Sequence, residues 1–424
     1  MSTELAPPGT GRAGKSVERA ETVLLFVFAI IPLTFVQNRV LGFQMSGWSW
    51  LLILAAAGLL VLTEPLPQRA IRLALPYLLF LAYACTTLAW APSFGEGFAT
   101  LLQLTVPALI YLLAWCVPLD AGLLDRLRKV CLRAVGVAAV LAVAVLAGVS
   151  GPLELSPRPM AISLVVLFVA ATIRSTSWRF TVLVGGISLT IAMATGSRMS
   201  SLVLLVMILV SPSLGVRWGG RLAIAIACVI LVLLVSQTDA FRQRFFFNED
   251  ATLTDVLTLS DNVNTAGRRE LWPKLLEACE PTSLTGLGVG ASTPLSFALS
   301  GGVLDHPHNE YIRSYCDEGW IGTMLVWLFF VAAGLRSWTG AFRAHDRRLH
   351  GAAGQIVLAL LIFAITDNPL SYTAHFMAPL AAILGLSDRR LAEAGRSLPA
   401  LTAGQWPATG HGLQRSPTPR SAPR

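Results

Sequence analysis

Residues 48–63 read WSWLLILAAAGLLVLT, a run without a single charged side chain. About 20 mainly apolar residues in helical form cross a bilayer, and runs of this kind recur along the 424-residue chain. Hydrophobic residues make up 54% of the chain and charged residues 13%, against roughly 25% charged residues in soluble domains. This composition excludes a soluble enzyme, a disordered chain and a nucleic-acid-binding domain, and it indicates an integral membrane protein.

Apolar runs separated by proline, glycine or charge predict an all-α polytopic membrane protein with about 12 transmembrane helices and one large periplasmic loop. The runs lie at about 22–36, 48–63, 73–91, 97–118, 134–150, 160–173, 180–196, 199–213, 222–236, 319–335, 353–366 and 374–387. The expected division is a cytoplasmic arm (1–20), helices 1–9 (21–236), the periplasmic loop (237–318), helices 10–12 (319–390) and a disordered cytoplasmic tail (391–424).

Positive charge sets the expected orientation. With the N-terminus in the cytoplasm, 23 of the 32 Lys and Arg residues fall on the inner side and 9 on the outer side. Lys and Arg accumulate on cytoplasmic loops, so both termini are predicted to be cytoplasmic. The net charge of +8 is therefore interpreted as topological rather than as a nucleic-acid footprint.

The loop at 237–318 is expected to carry function, because structureless loops of about 80 residues are otherwise uncommon. Residues 271–279 predict a short amphipathic helix with Leu271, Leu275 and Leu276 on one face. The repeated glycines Gly286, Gly288 and Gly290 predict a turn.

Several arginines are candidates for binding a diphosphate, because each guanidinium can donate paired charge-assisted hydrogen bonds. Arg198 lies in Thr-Gly-Ser-Arg between two apolar runs, where an arginine is usually functional or paired. Its alternative is a tight outer turn with the side chain reaching the lipid headgroups. The others lie in the loop, where the alternative is a solvated basic face; they are Arg242, Arg244, Arg268 and Arg269.

Histidine is the expected general base. The stretch Asp-His-Pro-His-Asn at 305–309 stands just before an apolar run, and His titrates nearest neutral pH. His308 is the candidate base and His306 a weaker candidate for positioning it; the alternative is an interfacial histidine without function. Asp367 and Asn368 are a possible second polar contact, or a turn that ends a helix before Pro369.

Neither a nucleotide nor a metal is expected. Residues 9–16 match the P-loop pattern, but no parallel strand can precede them at this terminus, so a basic arm is the preferred interpretation. The pair His306 and His308 lacks a distal partner set for a metal, and no paired-carboxylate motif for a metal-bound sugar nucleotide occurs. Cys279 and Cys316 both fall on the outer side, where a disulfide is possible but not required.

Three elements together resemble the O-antigen ligase and polymerase superfamily. His308-Asn309 followed after nine residues by Gly319-Trp-Ile-Gly322 is similar to the family's signature. Gly267-Arg268 with Trp272 resembles its outer loop, and Arg198 in Thr-Gly-Ser-Arg resembles its intramembrane arginine motif. The elements occur in the family's order and cover about 190–325.

The resemblance implies a metal-independent, inverting glycosyl transfer without a cofactor at the outer face of the bacterial inner membrane. The donor would be a glycan on undecaprenyl diphosphate, and a ligase would transfer it to lipid A–core, the acceptor of lipopolysaccharide biosynthesis. The expected catalytic residues are His308, Arg268 and Arg198. Substrate binding is assigned to Arg269, Asn309, His306, Arg242 and Arg244.

Two alternatives stay open. A polysaccharide polymerase of the same superfamily shares the donor chemistry and would use another glycan as acceptor. A transporter of lipid-linked sugars is of a different class, and it predicts polar residues along a midplane path and related halves. The expected partners are the donor, the acceptor and membrane lipids, and no nucleic acid.

Overall fold

The computed structural model describes residues 10–147, 154–214, 219–223, 226, 230, 267–343 and 346–397. Within these ranges the chain is helical apart from its turns and a small hairpin of Arg39–Val40 (β1) and Phe43–Gln44 (β2). The prediction of an all-α membrane protein is confirmed for the described part of the chain.

Among the described residues, eight helices precede residue 215: α1 (Thr10–Ala29), α2 (Met45–Thr63), α3 (Gln68–Thr87), α4 (Phe94–Ala114), α5 (Ala121–Leu146), α6 (Pro157–Thr172), α7 (Trp178–Ala194) and α8 (Arg198–Val210). Five follow residue 266: α9 (Arg268–Cys279), α10 (Ser292–Leu299), α11 (Glu310–Arg343), α12 (Arg347–Thr366) and α13 (Ala378–Ser397). A π-helical turn, Thr373–Met377, leads into α13.

Among the described helices, five are long and apolar enough to cross a membrane, namely α2, α3 with its following turn, α4, α11 and α12. Helices α6, α7 and α8 are apolar but shorter. The run at 222–236 lies almost wholly outside the described residues. The count of about twelve spans and the large periplasmic loop therefore stay predictions.

The hydrophobic core is centred on α6. Every residue from Met160 to Thr172 is buried, as expected of a helix that is apolar all round and enclosed by other helices. Helix α2 instead leaves Leu52, Leu59 and Leu62 exposed, so it presents an apolar face to its surroundings. Helices α11 and α12 pack together, and α4 packs on α13, where Gly385 allows the backbone of Tyr111 to approach closely.

Three boundaries differ from the predictions. Helix α1 begins inside the predicted arm, and α13 continues to Ser397, inside the predicted disordered tail, because the charged and alanine-rich flanks are good helix formers. Helix α11 begins at Glu310, nine residues before the predicted span. It bends at Gly319, whose φ of 63° and ψ of −170° are not helical, so only its second part corresponds to that span.

The loops of the helical bundle come together in two separate groups. Residues near 119–124, 173–176 and 346–349 meet at one end, and all three segments were predicted to be cytoplasmic. Residues near 290–293, 306 and 368–372 meet elsewhere, around the loop that carries the candidate site. The packing thus groups the loops as the charge count does, although it does not assign a side of the membrane to either group.

Candidate active site

Helix α9 presents the first part of the site. Arg268 is its first residue, after Gly267 in a left-handed conformation (φ 76°), and Trp272 follows one turn later on the same face. The Trp272 indole N–H donates to the carbonyl of Pro307, 2.7 Å away. This bond explains the spacing of the Gly-Arg and Trp elements, because it fixes α9 against the turn that carries His306 and His308.

The predicted amphipathic helix at 271–279 exists as part of α9, but one of its three leucines was assigned to the wrong face. Leu271 and Leu275 are buried, whereas Leu276 is 44% exposed. The buried face of α9 continues from Leu275 to Cys279, one turn later, and not to Leu276. Cys279 forms a disulfide with Cys316 of α11 on this face. The disulfide that the sequence left open is therefore present.

Gly286 and Gly319 allow two backbone segments to cross in close contact. The backbone of 283–288 lies on the bend of α11: Leu287 N–H donates to the carbonyl of Cys316 and Trp320 N–H to that of Ser283, both at 2.8 Å. A Cβ at Gly319 would lie 2.4 Å from the carbonyl oxygen of Leu284. The predicted turn at 286–290 is confirmed, since all three of its glycines have positive φ.

His308 stands in a strained position immediately before α11. Its φ of 51° is unusual for a residue other than glycine, and such strain is commonly found at functional sites. Asn309 secures the turn, because its side chain accepts from the N–H of Ile312 and donates to the carbonyl of Ile365. Both of its polar ends are thus used within the protein.

Three side chains, from distant parts of the chain and from the next turn, surround the carboxylate of Asp367. Arg158, at the start of α6, places Nη2 2.6 Å from Asp367 Oδ1 and Nε 3.3 Å from Oδ2. The same Nη2 lies 3.1 Å from His308 Nδ1, and His308 Nδ1 lies 3.7 Å from Asp367 Oδ1. The Tyr372 hydroxyl donates to Asp367 Oδ1. We call these residues, Arg158, His308, Asp367 and Tyr372, the Asp367 cluster.

The charge on Asp367 is well stabilised. Burial raises the pKa of its carboxyl, but the adjacent His308, the charge of Arg158 and the hydrogen bonds from Arg158 and Tyr372 outweigh it and hold the pKa below the usual range. The pKa of Tyr372 is raised by burial and by the adjacent carboxylate, so its phenol keeps its proton. The cluster therefore contains one carboxylate, one guanidinium and a histidine whose ring nitrogen touches both.

Arg268 adjoins this cluster with an unused donor. Burial lowers the pKa of its guanidinium, and the next largest influences are Asp367, which raises it, and Arg158, which lowers it. Its Nε is buried and has no hydrogen-bond partner among the residues that the structure describes. A buried, unpartnered guanidinium N–H is costly, so an anionic ligand at this point would satisfy it. Arg269, its neighbour, is exposed.

The other predicted residues are placed differently. Arg198 begins α8 after a turn at Gly196, and within the described ranges the hydrogen bonds and ion pairs of the Asp367 cluster do not involve it. Arg242 and Arg244 lie outside the described residues. His306 contacts Thr293 Oγ1 through Nδ1 at 3.2 Å, and burial lowers the pKa of its imidazole.

A cavity of about 370 Å³ opens beside the cluster, and His306, Tyr372 and Asn368 form part of its wall. Glu96 of α4 and Asp317 of α11 supply carboxylates on other sides, and Arg313 also contributes. Arg313 is buried and forms ion pairs with Glu310 and Asp317, and Glu318 lies 3.8 Å away. Three carboxylates thus face one guanidinium, so this wall is not a basic surface.

Sequence reasoning missed Arg158 and Tyr372. The arginine had been counted only as one of nine outer charges, although its setting between Pro157 and Pro159 at the start of an apolar run was visible. Asp367 was noticed, but its partners are 209 and 59 residues away in the chain. Across the described ranges, no group of three or more His, Cys, Asp or Glu residues is arranged to hold a metal ion.

One segment of the chain is similar to a known protein family. Residues 183–327 match a family model described as O-Antigen ligase. The segment contains Arg198, Arg268 and His308, while Arg158 and Asp367 lie outside it. No curated protein matches the chain.

Proposed function

We propose that this chain, whose residues 183–327 match the O-antigen ligase family model, transfers a glycan from undecaprenyl diphosphate to lipid A–core at the periplasmic face of the inner membrane. The match to the family model and the apolar helices support an O-antigen ligase/polymerase-type membrane protein. The finer assignment rests on one observation: His308 contacts the Arg158–Asp367 ion pair, and Arg268 adjoins it with an unused N–H donor.

The arginines fit the leaving group. When the bond between the anomeric carbon and the diphosphate breaks, negative charge develops on the diphosphate, and preorganised cations stabilise that charge. Arg158 is 43% exposed and retains access from outside the cluster, while Arg268 offers its buried Nε–H. Two guanidinium groups then do the work that a divalent cation does at other diphosphate sites. We assign a supporting role toward the donor to Arg198, Arg269, Arg242 and Arg244.

His308 fits the general base, with a condition on its tautomer. The base needs a free ring nitrogen, but an Arg158 N–H at Nδ1 forces Nδ1 to accept and puts the proton on Nε2. If the donor diphosphate draws Arg158 toward itself, Nδ1 can carry the proton and donate it to Asp367, leaving Nε2 free. Donor binding would thus prepare the base. Asp367 would then hold the His308 tautomer, as the aspartate of a catalytic triad holds that of its histidine.

The proposed transfer is a single displacement at the anomeric carbon of the donor. The acceptor hydroxyl oxygen forms a bond to the anomeric carbon on the face opposite the diphosphate, which inverts the configuration. The bond from that carbon to the diphosphate oxygen breaks, and undecaprenyl diphosphate leaves with its electron pair. The hydroxyl proton passes to His308 Nε2. No cofactor is consumed, and no nucleotide takes part.

The cavity beside His306 fits the acceptor side. Its wall includes the exposed Glu96, whose carboxylate would accept hydrogen bonds from sugar hydroxyls and repel a second diphosphate, while Asp317 is engaged by Arg313 and by the N–H of Ser292. His306 would line the path by which the hydroxyl reaches His308. The two substrates would thus be separated by charge, with the diphosphate on the arginine side and the sugar on the acidic side.

The outer location is supported by the disulfide and by the charges. The Cys279–Cys316 bond joins α9 to α11, and disulfides persist in oxidising compartments such as the periplasm. Most Lys and Arg residues fall on the loops at the opposite end. We therefore keep about twelve spans, cytoplasmic termini and a periplasmic loop at 237–318 as part of this proposal.

The decisive experiment uses the purified full-length chain in detergent, a lipid-diphosphate-linked glycan and EDTA, without nucleotide. Lipid A–core is offered as acceptor in one arm and a second donor molecule in the other. We expect glycan on lipid A–core, and we expect none with His308→Ala although this variant still inserts in the membrane. Chain growth on the second donor would instead identify a polymerase.

Failure of both arms with folded protein and several glycans would reject glycosyl transfer and favour transport of the lipid-linked sugar. Normal transfer by His308→Ala would remove the base assignment alone. Loss of transfer in EDTA, restored by a divalent cation, would reject the proposal that arginines suffice at the diphosphate.

A further inference from the structure

A second cavity lies at the other end of the bundle, away from the candidate active site. Its volume is about 520 Å³, and its wall is formed by the start of α5, the segment after α6, the start of α12 and Arg390 of α13. These segments are distant in sequence and meet where helices begin or end. The cavity therefore lies where the ends of these helices come together.

The wall of this cavity is rich in arginine. Arg174, Arg347, Arg348 and Arg390 line it, against the two carboxylates of Asp120 and Asp346. Asp346 is paired with Arg390, whereas Asp120 accepts from the N–H of Leu123 and keeps its negative charge beside Arg347 and Arg348. The free positive charge thus exceeds the free negative charge at this point.

Two of these arginines are available for a ligand. Arg347 and Arg348 are exposed, and neither forms a hydrogen bond or ion pair with any residue in the described ranges. Arg174 and Arg390, by contrast, are held by Asp125 and by Asp346 and Glu393. The paired arginines shape the wall, and the unpaired ones provide donors.

The backbone adds to the same potential. Arg347 is the first residue of α12, and the Asp346 side chain does not cap that helix. The amide N–H groups of its first turn therefore keep their partial positive charge beside the two unpaired arginines. An anion seated here would meet guanidinium and backbone donors together.

The remaining wall is apolar apart from Thr176. Leu119, Leu124, Ile173 and Leu349 contribute to it, so the cavity combines phosphate donors with a hydrophobic side. A soluble phosphate would leave that side unused, whereas a lipid would place its glycerol and first methylene groups there. We infer that this cavity binds the phosphate headgroup of an anionic membrane phospholipid, which would join α5, α6, α12 and α13. The inference does not depend on the proposed transfer reaction.

The test measures lipid binding by the purified full-length chain. Phosphatidylglycerol, phosphatidylcholine and inorganic phosphate are titrated separately into detergent-solubilised protein, and bound lipid is measured by native mass spectrometry alongside the unfolding temperature. The variant is Arg347→Ala/Arg348→Ala. The matched control is Arg69→Ala/Arg72→Ala, which also removes two exposed arginines from the first turn of a helix but does not touch the cavity.

We expect saturable binding of phosphatidylglycerol over phosphatidylcholine, with a higher unfolding temperature when the site is occupied. The Arg347/Arg348 variant should weaken that binding by roughly tenfold or more, while the control pair changes it little. Replacing both residues by Lys should restore part of it. Equal binding by both alanine pairs would overturn the site, and saturable binding of inorganic phosphate without a preference for phosphatidylglycerol would overturn the lipid.

Discussion

Arg158 Nη2 lies 2.6 Å from Asp367 Oδ1 although the two residues are 209 positions apart. This ion pair joins the start of α6 to the end of α12, and His308 contacts both of its members. Neither residue belongs to the segment that the family model matches. The candidate site is therefore completed by helices on both sides of that segment.

Arg158 is expected to serve both the leaving group and the base. Arg158→Ala should lower transfer on the order of 10²-fold, because it removes a cation from the diphosphate and the partner that orders His308 and Asp367. Arg158→Lys should recover little, since Lys lacks the planar fork. Steady-state kinetics with varied donor would measure this, and an Arg158→Ala enzyme with normal donor use would remove it from the site.

Arg268 and its neighbour form a matched pair of variants. Arg268→Ala should raise the KM for the donor and lower kcat, because its half-buried guanidinium adjoins the Asp367 cluster. Arg269→Ala should have a much smaller effect, because Arg269 is exposed. Arg268→Lys should rescue poorly. The opposite ranking of the two alanine variants would transfer the diphosphate contact to Arg269, and full rescue by Lys would mean that charge alone suffices.

Asp367 should contribute stability in a defined pH range. Its pKa is lower in the folded state than in the unfolded state, so its contribution is complete above about pH 4 and is lost as the pH falls through the folded value. Asp367→Asn should therefore lower stability by about 1–3 kcal/mol at neutral pH and by progressively less in acid. Unfolding temperatures of both proteins between pH 2 and pH 7 would test this, and a difference that stays constant below about pH 4 would contradict it.

The disulfide should matter for the outer part of the site. Cys279→Ser/Cys316→Ser is expected to cost about 2–4 kcal/mol, because the bond closes a loop across 37 positions and fixes α9 on α11. Cys85→Ser is the control, since Cys85 is a free, exposed thiol. Thermal unfolding with and without reductant would compare them. A reductant effect that persists in the double serine variant would show that another thiol is responsible.

Gly319 should not accept a side chain. Its φ of 63° disfavours other residues, and a Cβ would lie 2.4 Å from the Leu284 carbonyl oxygen and 2.6 Å from Gly286 N. Gly319→Ala should therefore disturb the crossing between residues 283–288 and the bend of α11, and it should lower both stability and transfer. Gly186→Ala is the control, because a Cβ there meets no atom within 4 Å. Unfolding temperature and transfer rate are measured for both, and an unaffected Gly319→Ala protein would contradict this role.

Sequence alone determined the class of the fold and supplied several of the candidate site residues. Long uncharged runs such as 48–63 can satisfy their backbone groups in a membrane only as helices. His308, Arg268 and Trp272 were singled out by motifs that resemble those of a known family, and the structure places Arg268 and Trp272 one turn apart on α9 and His308 at a turn before a helix. The glycines Gly286 and Gly319 were visible as a pattern, but not as the two sides of one crossing.

Tertiary structure decided what surrounds them. The pairing of Arg158 with Asp367 depends on how α6 and α12 pack, and no local pattern records a contact across 209 positions. Leu276 was assigned to the wrong face because the orientation of α9 is set by its disulfide and by the Trp272–Pro307 bond. Local sequence fixes which groups a helix presents on each face, whereas the packing of helices fixes which groups meet.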